Sequence, residues 1–354
     1  MKRLFLSLVV AMMCGMTGIY AQSNLVATLS RGASILTYYG EGALSEAYED
    51  AEAGDVITLS SGTFNAVNIE KAITIRGAGI YTDGDISPTY ITGTFTITVS
   101  EEISNNISIE SVRCHARVQV NGTNFSSINF VKSYFEQGIG CLGCSAKFMS
   151  CVAYKLSSQY ELGSVPIKST QVICNSCVLL EPSSNGYYYS VMGGGRIKEA
   201  YAKIEAENCL IMTASSEFLG YSSFLNCIFA YRDGYSFTLP ENSTATDCVA
   251  VNQNGTTDLF SNIDGSTDRY ADSFESLFKT YTYDMLIGQG LPEGERFELT
   301  DAAAAAYLGN DGTQVGIYGG ATPFNPIPTN PRINTFNVSS EHNNGTLTVK
   351  INVE

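Results

Sequence analysis

The side chains best suited to handling a polar polymer are concentrated between residues 154 and 202. Tyr187, Tyr188 and Tyr189 follow one another, with Tyr154, Tyr160 and Tyr201 nearby. Sugar rings present C–H faces that pack on aromatic rings, while polar neighbours fix their hydroxyls. Consecutive residues of a strand point to opposite faces, so Tyr187 and Tyr189 are the two that can act together. Arg196-Ile197-Lys198 follows Gly193-Gly194-Gly195 and supplies two cations in the same stretch. Lys168 adds a third cation, with Glu161 and Glu181 near it in sequence. The candidate ligand-binding residues are therefore Tyr187, Tyr189, Arg196, Lys198 and Lys168. The chain has no Trp, the commoner sugar platform, which counts against glycan contact and leaves plain loop packing as the alternative.

Other chemistries have less to stand on. Asp264, Asp268 and Asp272 recur every four residues, but on a strand neighbours would lie roughly 13 Å apart, too far to share one cation. His115 and His342 are the only histidines. His115 follows an inward position and is expected to face solvent, and no Ser-His-Asp arrangement can be built from the pair. Cys141, Cys144, Cys174 and Cys177 form two CxxC pairs. The spacing between the pairs exceeds that of zinc ribbons, so no metal site is expected.

These residues hang on a repeat. Val112, Ser133, Cys151, Cys177, Cys209, Cys227 and Cys248 each occupy the same place in a short apolar-polar-apolar phrase, at steps of 21, 18, 26, 32, 18 and 21 residues. Three positions before and two after stand further apolar columns, among them Phe130 and Phe148 before, Phe135 and Phe229 after. Period-two alternation on both sides of a corner means two short strands per coil, and a step of about 23 residues is that of a solenoid. The expected fold class is all-β, a right-handed parallel β-helix with an N-terminal capping helix and a short C-terminal β-hairpin. The cysteine column is read as reduced core packing. Residues 40–54 carry Leu44, Ala47, Tyr48 and Ala51 at helical spacing and read as the cap, with Gly54 as its stop. About 12 coils are expected over residues 55–320, a rod of roughly 55 Å. The 26- and 32-residue steps predict outward loops at 154–171 and 182–202, walling a groove. Residues 269–300 lose the repeat and read as an excursion covering part of the rod.

Two phrases sharpen the picture: Gly54-Asp55 leading through a strand to Ser61-Gly62-Thr63-Phe64, then a strand closing on Arg76-Gly77-Ala78-Gly79. Together with the repeat and with Gly309-Asn310-Asp311-Gly312 through Gly319-Gly320, they resemble the pectate-lyase-like superfamily of secreted β-helix proteins, over roughly residues 35–322. The resemblance implies that residues 309–320 form a closing coil. It implies no single activity, because that superfamily includes lyases, hydrolases, esterases and non-catalytic binders. Arg196-Ile197-Lys198 matches a tripeptide of polygalacturonase-type hydrolases, but their Asn-Thr-Asp, Asp-Asp and Gly-His-Gly motifs are missing. The esterase phrase containing Trp is missing too. No cofactor is implied, and Ca²⁺ would enter only if the chain were a lyase.

Lys2 and Arg3, the apolar run Leu4 to Met13 and the ending Ile19-Tyr20-Ala21 read as a secretory signal cleaved before Gln22. The expected location is thus exported: periplasmic, cell-surface or extracellular. The organisation reads as 1–21 signal, 22–322 β-helix with its cap, and 323–354 a Pro-rich exit and hairpin. Without the signal, 18 basic residues face 35 acidic ones, a net of −17. Such a field repels polyanions, so nucleic acid is excluded as a partner. No transmembrane segment is expected in the mature chain, and its oligomeric state is open. The expected function is a non-catalytic glycan-associated β-helix. Two alternatives remain, a polysaccharide lyase or hydrolase with an unrecognised site and a structural or adhesive surface protein.

Overall fold

The computed structural model describes residues 25–84, 86–159, 170–180, 183–184, 188–189, 196–197, 202–213, 222–231, 239, 243–251, 259–260, 269–287, 296–328, 333–338 and 349–353. The coil is set by one backbone feature. Ser111, Lys132, Ser150, Ser176, Asn208, Asn226 and Asp247 all adopt left-handed φ angles between 50° and 56°. That conformation turns the chain sharply between two strands; Asn and Asp tolerate it better than most residues. The next residue is the repeated column Val112, Ser133, Cys151, Cys177, Cys209, Cys227 and Cys248, all buried.

The strands before the corner stack in parallel from Val56–Leu59 through Thr74–Arg76, Ser108–Glu110, Thr170–Asn175, Ala202–Glu207 and Ser223–Leu225 to Thr244–Thr246. We refer to them as the first sheet. Those after the corner run from Gly62–Asn65 to Tyr270–Ala271 as a second sheet, ten strands among the described residues. Two long strands, Val118–Val131 and Ile139–Met149, bend through a register shift between Asn121 and Ser126 and serve two faces. Their C-terminal halves belong to the first sheet. Their N-terminal halves pair with Phe95–Val99 and Leu156–Gln159 to make a third ladder. The architecture is thus the expected parallel β-solenoid. Its interior is filled by stacked residues such as Phe130 on Phe148, whose ring centroids lie 4.8 Å apart.

The count of coils among the described residues differs from the sequence expectation: ten levels, not about 12, giving a stack of roughly 43 Å. The reason lies on the outer side of the second sheet. Val152, Val178, Leu210, Ile228 and Val249 are buried there, under Phe274, Leu277, Phe278, Tyr281, Phe297 and Leu299. The excursion expected at 269–300 therefore covers the rod, as anticipated, through short helices at Phe274–Leu277 and Tyr283–Ile287. Residues spent on this cover are not spent on further coils.

Residues 309–320 correct the second expectation. They do not close a coil; they begin a strap that runs along the corner column against the direction of stacking. Asn226 and Asn310 exchange two hydrogen bonds, Asn310 N–H to Asn226 Oδ1 at 3.0 Å and Asn226 Nδ2 to Asn310 Oδ1 at 3.1 Å. Gly320 lies against Asn208, where a Cβ would come within 2.3 Å of Nδ2. Ser176 Oγ donates to Thr322 O at 2.6 Å, Asn325 N–H donates to Ser150 Oγ at 3.4 Å, and Lys132 Nζ donates to Ile327 O at 2.7 Å. Val315, Ile317 and Phe324 bury themselves on the second sheet beside this track.

The N-terminal end is closed by two devices. The helix Ala43–Asp50 buries Ala43, Leu44 and Ala47. It stops at Ala51, whose backbone is extended at ψ 141°, and not at Gly54 as expected. Gly54, at φ 91°, instead makes the turn that launches the first coil. Ahead of the helix an antiparallel hairpin, Val26–Arg31 with Ser34–Tyr39, lays its first strand on Val56–Leu59 and so ends the parallel ladder. At the other terminus Ile333–Val338 pairs antiparallel with Val349–Val353, the expected hairpin. No helix of the described residues is long and apolar enough to cross a membrane.

Candidate functional site

Lys168, Tyr187 and Lys198 lie outside the described residues, as do Glu161, Asp264 and Asp268. The backbone of the other two candidates is placed. Tyr188–Tyr189 pairs antiparallel with Arg196–Ile197, and the register sets Tyr189 directly opposite Arg196. The second long step thus carries a small hairpin that brings an aromatic and a cationic position face to face across two strands.

Both long steps return to the solenoid at neighbouring points. The chain re-enters the first sheet at Thr170–Asn175 after one and at Ala202–Glu207 after the other, and these strands pair in register with Ile173 opposite Glu205. In front of them runs an open trough of about 430 Å³. Period-two alternation explains its floor. Cys174, Ala206 and Phe224 point into the core, so Ile173, Asn175, Glu205, Glu207, Ser223 and Leu225 face outward, with Thr244 and Thr246 one coil further on. The outward positions make two rows up the sheet, apolar Ile173 and Leu225 set among carboxylates, an amide and hydroxyls. Lys203 stands on the same side of its strand, ion-paired with Glu205; both side chains are about one-third exposed, at 38% and 35%. Positions 205 and 207 are separated by about 7 Å along the strand.

A second charged cluster sits on the outer side of the second sheet. His115 faces solvent as expected, but it is not idle: its ring stacks on Tyr90 at 4.4 Å, and its Nδ1 pairs with Glu136 Oε2. Arg113 pairs with the other oxygen of Glu136 and lies over Tyr134, 5.0 Å from its centroid. Glu136 thereby ties its coil to the preceding one through both carboxylate oxygens.

The cysteines behave as core. All nine from Cys114 to Cys248 are free and buried. Burial pushes the thiols of Cys114, Cys151, Cys174, Cys209 and Cys248 well above their ordinary value, so they remain protonated. Among the described residues no group of three or more His, Cys, Asp or Glu is arranged to hold a metal ion.

Sequence reasoning missed Lys203, Glu205, Glu207 and Glu136. The signals were present. Lys203, Glu205 and Glu207 alternate with Ile204 and Ala206 ahead of Cys209, which puts all three charges outside. Glu136 stands 21 residues after His115, the same step that separates Val112 from Ser133, so the two must stack. In comparison with known proteins, no protein-family model matches the chain and no curated protein matches it.

Proposed function

We propose that this chain is an exported, non-catalytic β-solenoid of the pectate-lyase-like kind that binds a neutral glycan along the trough of its first sheet. The observation that carries the reading is the trough itself, a long open floor of alternating apolar and hydrogen-bonding side chains. Ile173 and Leu225 suit sugar C–H faces; Glu205, Glu207, Asn175, Ser223 and Thr246 suit hydroxyls. The insertion hairpin with Tyr189 opposite Arg196 springs from the same coils. Glu205 and Glu207 outweigh Lys203 there, and the mature chain carries a net −17, so a neutral polymer is favoured over an acidic one. The test is calorimetric titration of the chain from Gln22 onward with neutral and acidic oligosaccharides. Neutral ligands bind, with affinity unchanged between low and high salt. Tyr189→Ala lowers it about fivefold, for one aromatic contact of about 1 kcal/mol. Binding confined to acidic polymers, or no glycan binding at all, overturns the proposal.

One observation favours a second reading. Glu205 and Glu207 occupy positions about 7 Å apart on one strand face, and inverting glycoside hydrolases set their two carboxyl groups roughly 6.5–9.5 Å apart. On such a site one glutamate activates water as the base and the other protonates the leaving oxygen. On this reading the wild-type protein releases reducing ends, and Glu205→Gln or Glu207→Gln abolishes release while binding persists. Binding without product supports the first reading.

A further inference from the structure

The strap ends beside a second cavity, of about 380 Å³, whose apolar walls are Ile80, Tyr81, Tyr318, Phe324, Pro326 and Ile327, with Asp83, Arg296 and Glu298 also lining it. It shares no lining residue with the trough and takes no part in the proposed glycan site. Its walls are mainly apolar, and Ile327 is 54% exposed, an unusual cost for an isoleucine left in water. The chain leaves the described strap at Pro328, which itself lines this cavity.

Five residues later, at Ile333, begins a hairpin that cannot account for its own stability. A two-stranded hairpin alone is marginal in water. Its register pairs Phe336 with Ile351 and Val338 with Val349, while Asn337 pairs with Lys350 between them. By period-two alternation the positions 336, 338, 349 and 351 share one side of the ladder and 337 and 350 the other. The hairpin therefore has one apolar side to cover and one polar side to leave wet. The link from Pro328 to Ile333 spans at most about 17 Å, so the two apolar surfaces are held together at an effective concentration on the order of millimolar.

We propose that the C-terminal hairpin docks its 336/338/349/351 side into the cavity walled by Tyr81, Tyr318 and Phe324 of the same chain. A second copy would have to compete with this tether, which is why the occupant is intramolecular. Docking also clamps the strap's free end, fastening the last described residue of the strap to the loop after the second coil.

Hydrogen exchange of the full chain, compared with Phe336→Asp, Ile351→Asp and Asn337→Asp at two protein concentrations, tests this. Phe336→Asp and Ile351→Asp each speed exchange at residues 79–83 and 324–327 at least fivefold. Strand Ser108–Glu110 serves as the folded reference and stays unchanged. Asn337→Asp, on the polar side, has no effect, and the protection of the wild type is the same at both concentrations. Equal exchange at 79–83 in all four proteins overturns the docking. Protection that grows with protein concentration overturns the intramolecular occupant and assigns the cavity to a second copy.

Discussion

Cys209 fills a corner of the core and at the same time closes two hydrogen bonds, its Sγ accepting from Cys177 N–H at 3.4 Å and donating to Glu207 O at 3.2 Å. Cys177 and Cys151 repeat the pattern one and two coils earlier, with Cys177 Sγ accepting from Cys151 N–H at 3.4 Å. The left-handed residue before each column position turns the backbone so that this N–H faces along the stack, and the thiol of the next coil satisfies it. A buried amide left without a partner costs roughly 1–3 kcal/mol, which is why a small polar-capable side chain serves better here than alanine. Cys209→Ala is therefore expected to destabilise by about 1–3 kcal/mol. Cys209→Asp adds an unpaired buried charge and should cost more, several kcal/mol. Denaturant unfolding of the two variants beside the wild type measures both, and equal losses would show that the column is filled for volume alone.

At the scale of elements, the end cap depends on one ion pair. Arg31 closes the first strand of the N-terminal hairpin and bonds Asp55 through Nε at 3.0 Å and Nη2 at 2.8 Å, while Glu52 N–H donates to Asp55 Oδ2 at 2.8 Å. The Arg31 bond and these further contacts hold the Asp55 carboxyl below its usual value of 3.8. A carboxylate depressed in the folded state stabilises fully above its unfolded pKa, and that contribution disappears as pH falls through the lower folded value. Asp55→Asn should accordingly be less stable than wild type at neutral pH, with the gap closing as pH drops below about 3.8. Unfolding curves at a series of pH values read this directly; a gap that is constant with pH would remove the ion pair from the account. The outer strand of the same hairpin, Ser34–Tyr39, leaves Ile35, Leu36 and Tyr39 at least half exposed, so the cap shifts the sheet edge outward without charging it.

For the molecule as a whole, the strap changes how the rod unfolds. In a bare solenoid each coil touches only its neighbours, and stability is a sum of local terms. Here residues 310–327 bond to the corners at Asn226, Ser176, Ser150 and Lys132 and pack on that at Asn208, so five levels share one segment. At Gly319 an added Cβ would lie 1.9 Å from Gln314 O, a backbone atom that cannot swing aside. Gly319→Ala should lift the strap at a cost of about 1–3 kcal/mol and split a single thermal transition into two. A variant that still melts in one step, followed by both fluorescence and circular dichroism, would mean that the coils cohere without the strap.

Alternation and the step of the cysteine column determined the parallel coils, the inward columns, the outward His115 and the helix at Ala43–Asp50, because period and burial are properties of a single strand or helix read along the chain. The same local information misplaced the helix stop at Gly54 and counted two coils more than the described residues contain, and the family resemblance cast residues 309–320 as a coil. Each error has one cause: whether a glycine-rich apolar stretch winds inside the stack or lies across its outer face depends on what the second sheet leaves uncovered. Val152, Val178, Leu210 and Ile228 sit beside inward residues in sequence, and nothing in their own spacing says that Phe274 and Phe324 will come to cover them. The trough was half legible. The long steps pointed to a groove walled by residues 154–171 and 182–202, whereas the trough is lined by sheet residues alone, and stacking brings Ile173, Glu205 and Ser223 side by side from positions 18 to 32 residues apart. Sequence spacing orders residues along one coil; only the packed stack decides which residues of different coils share a surface.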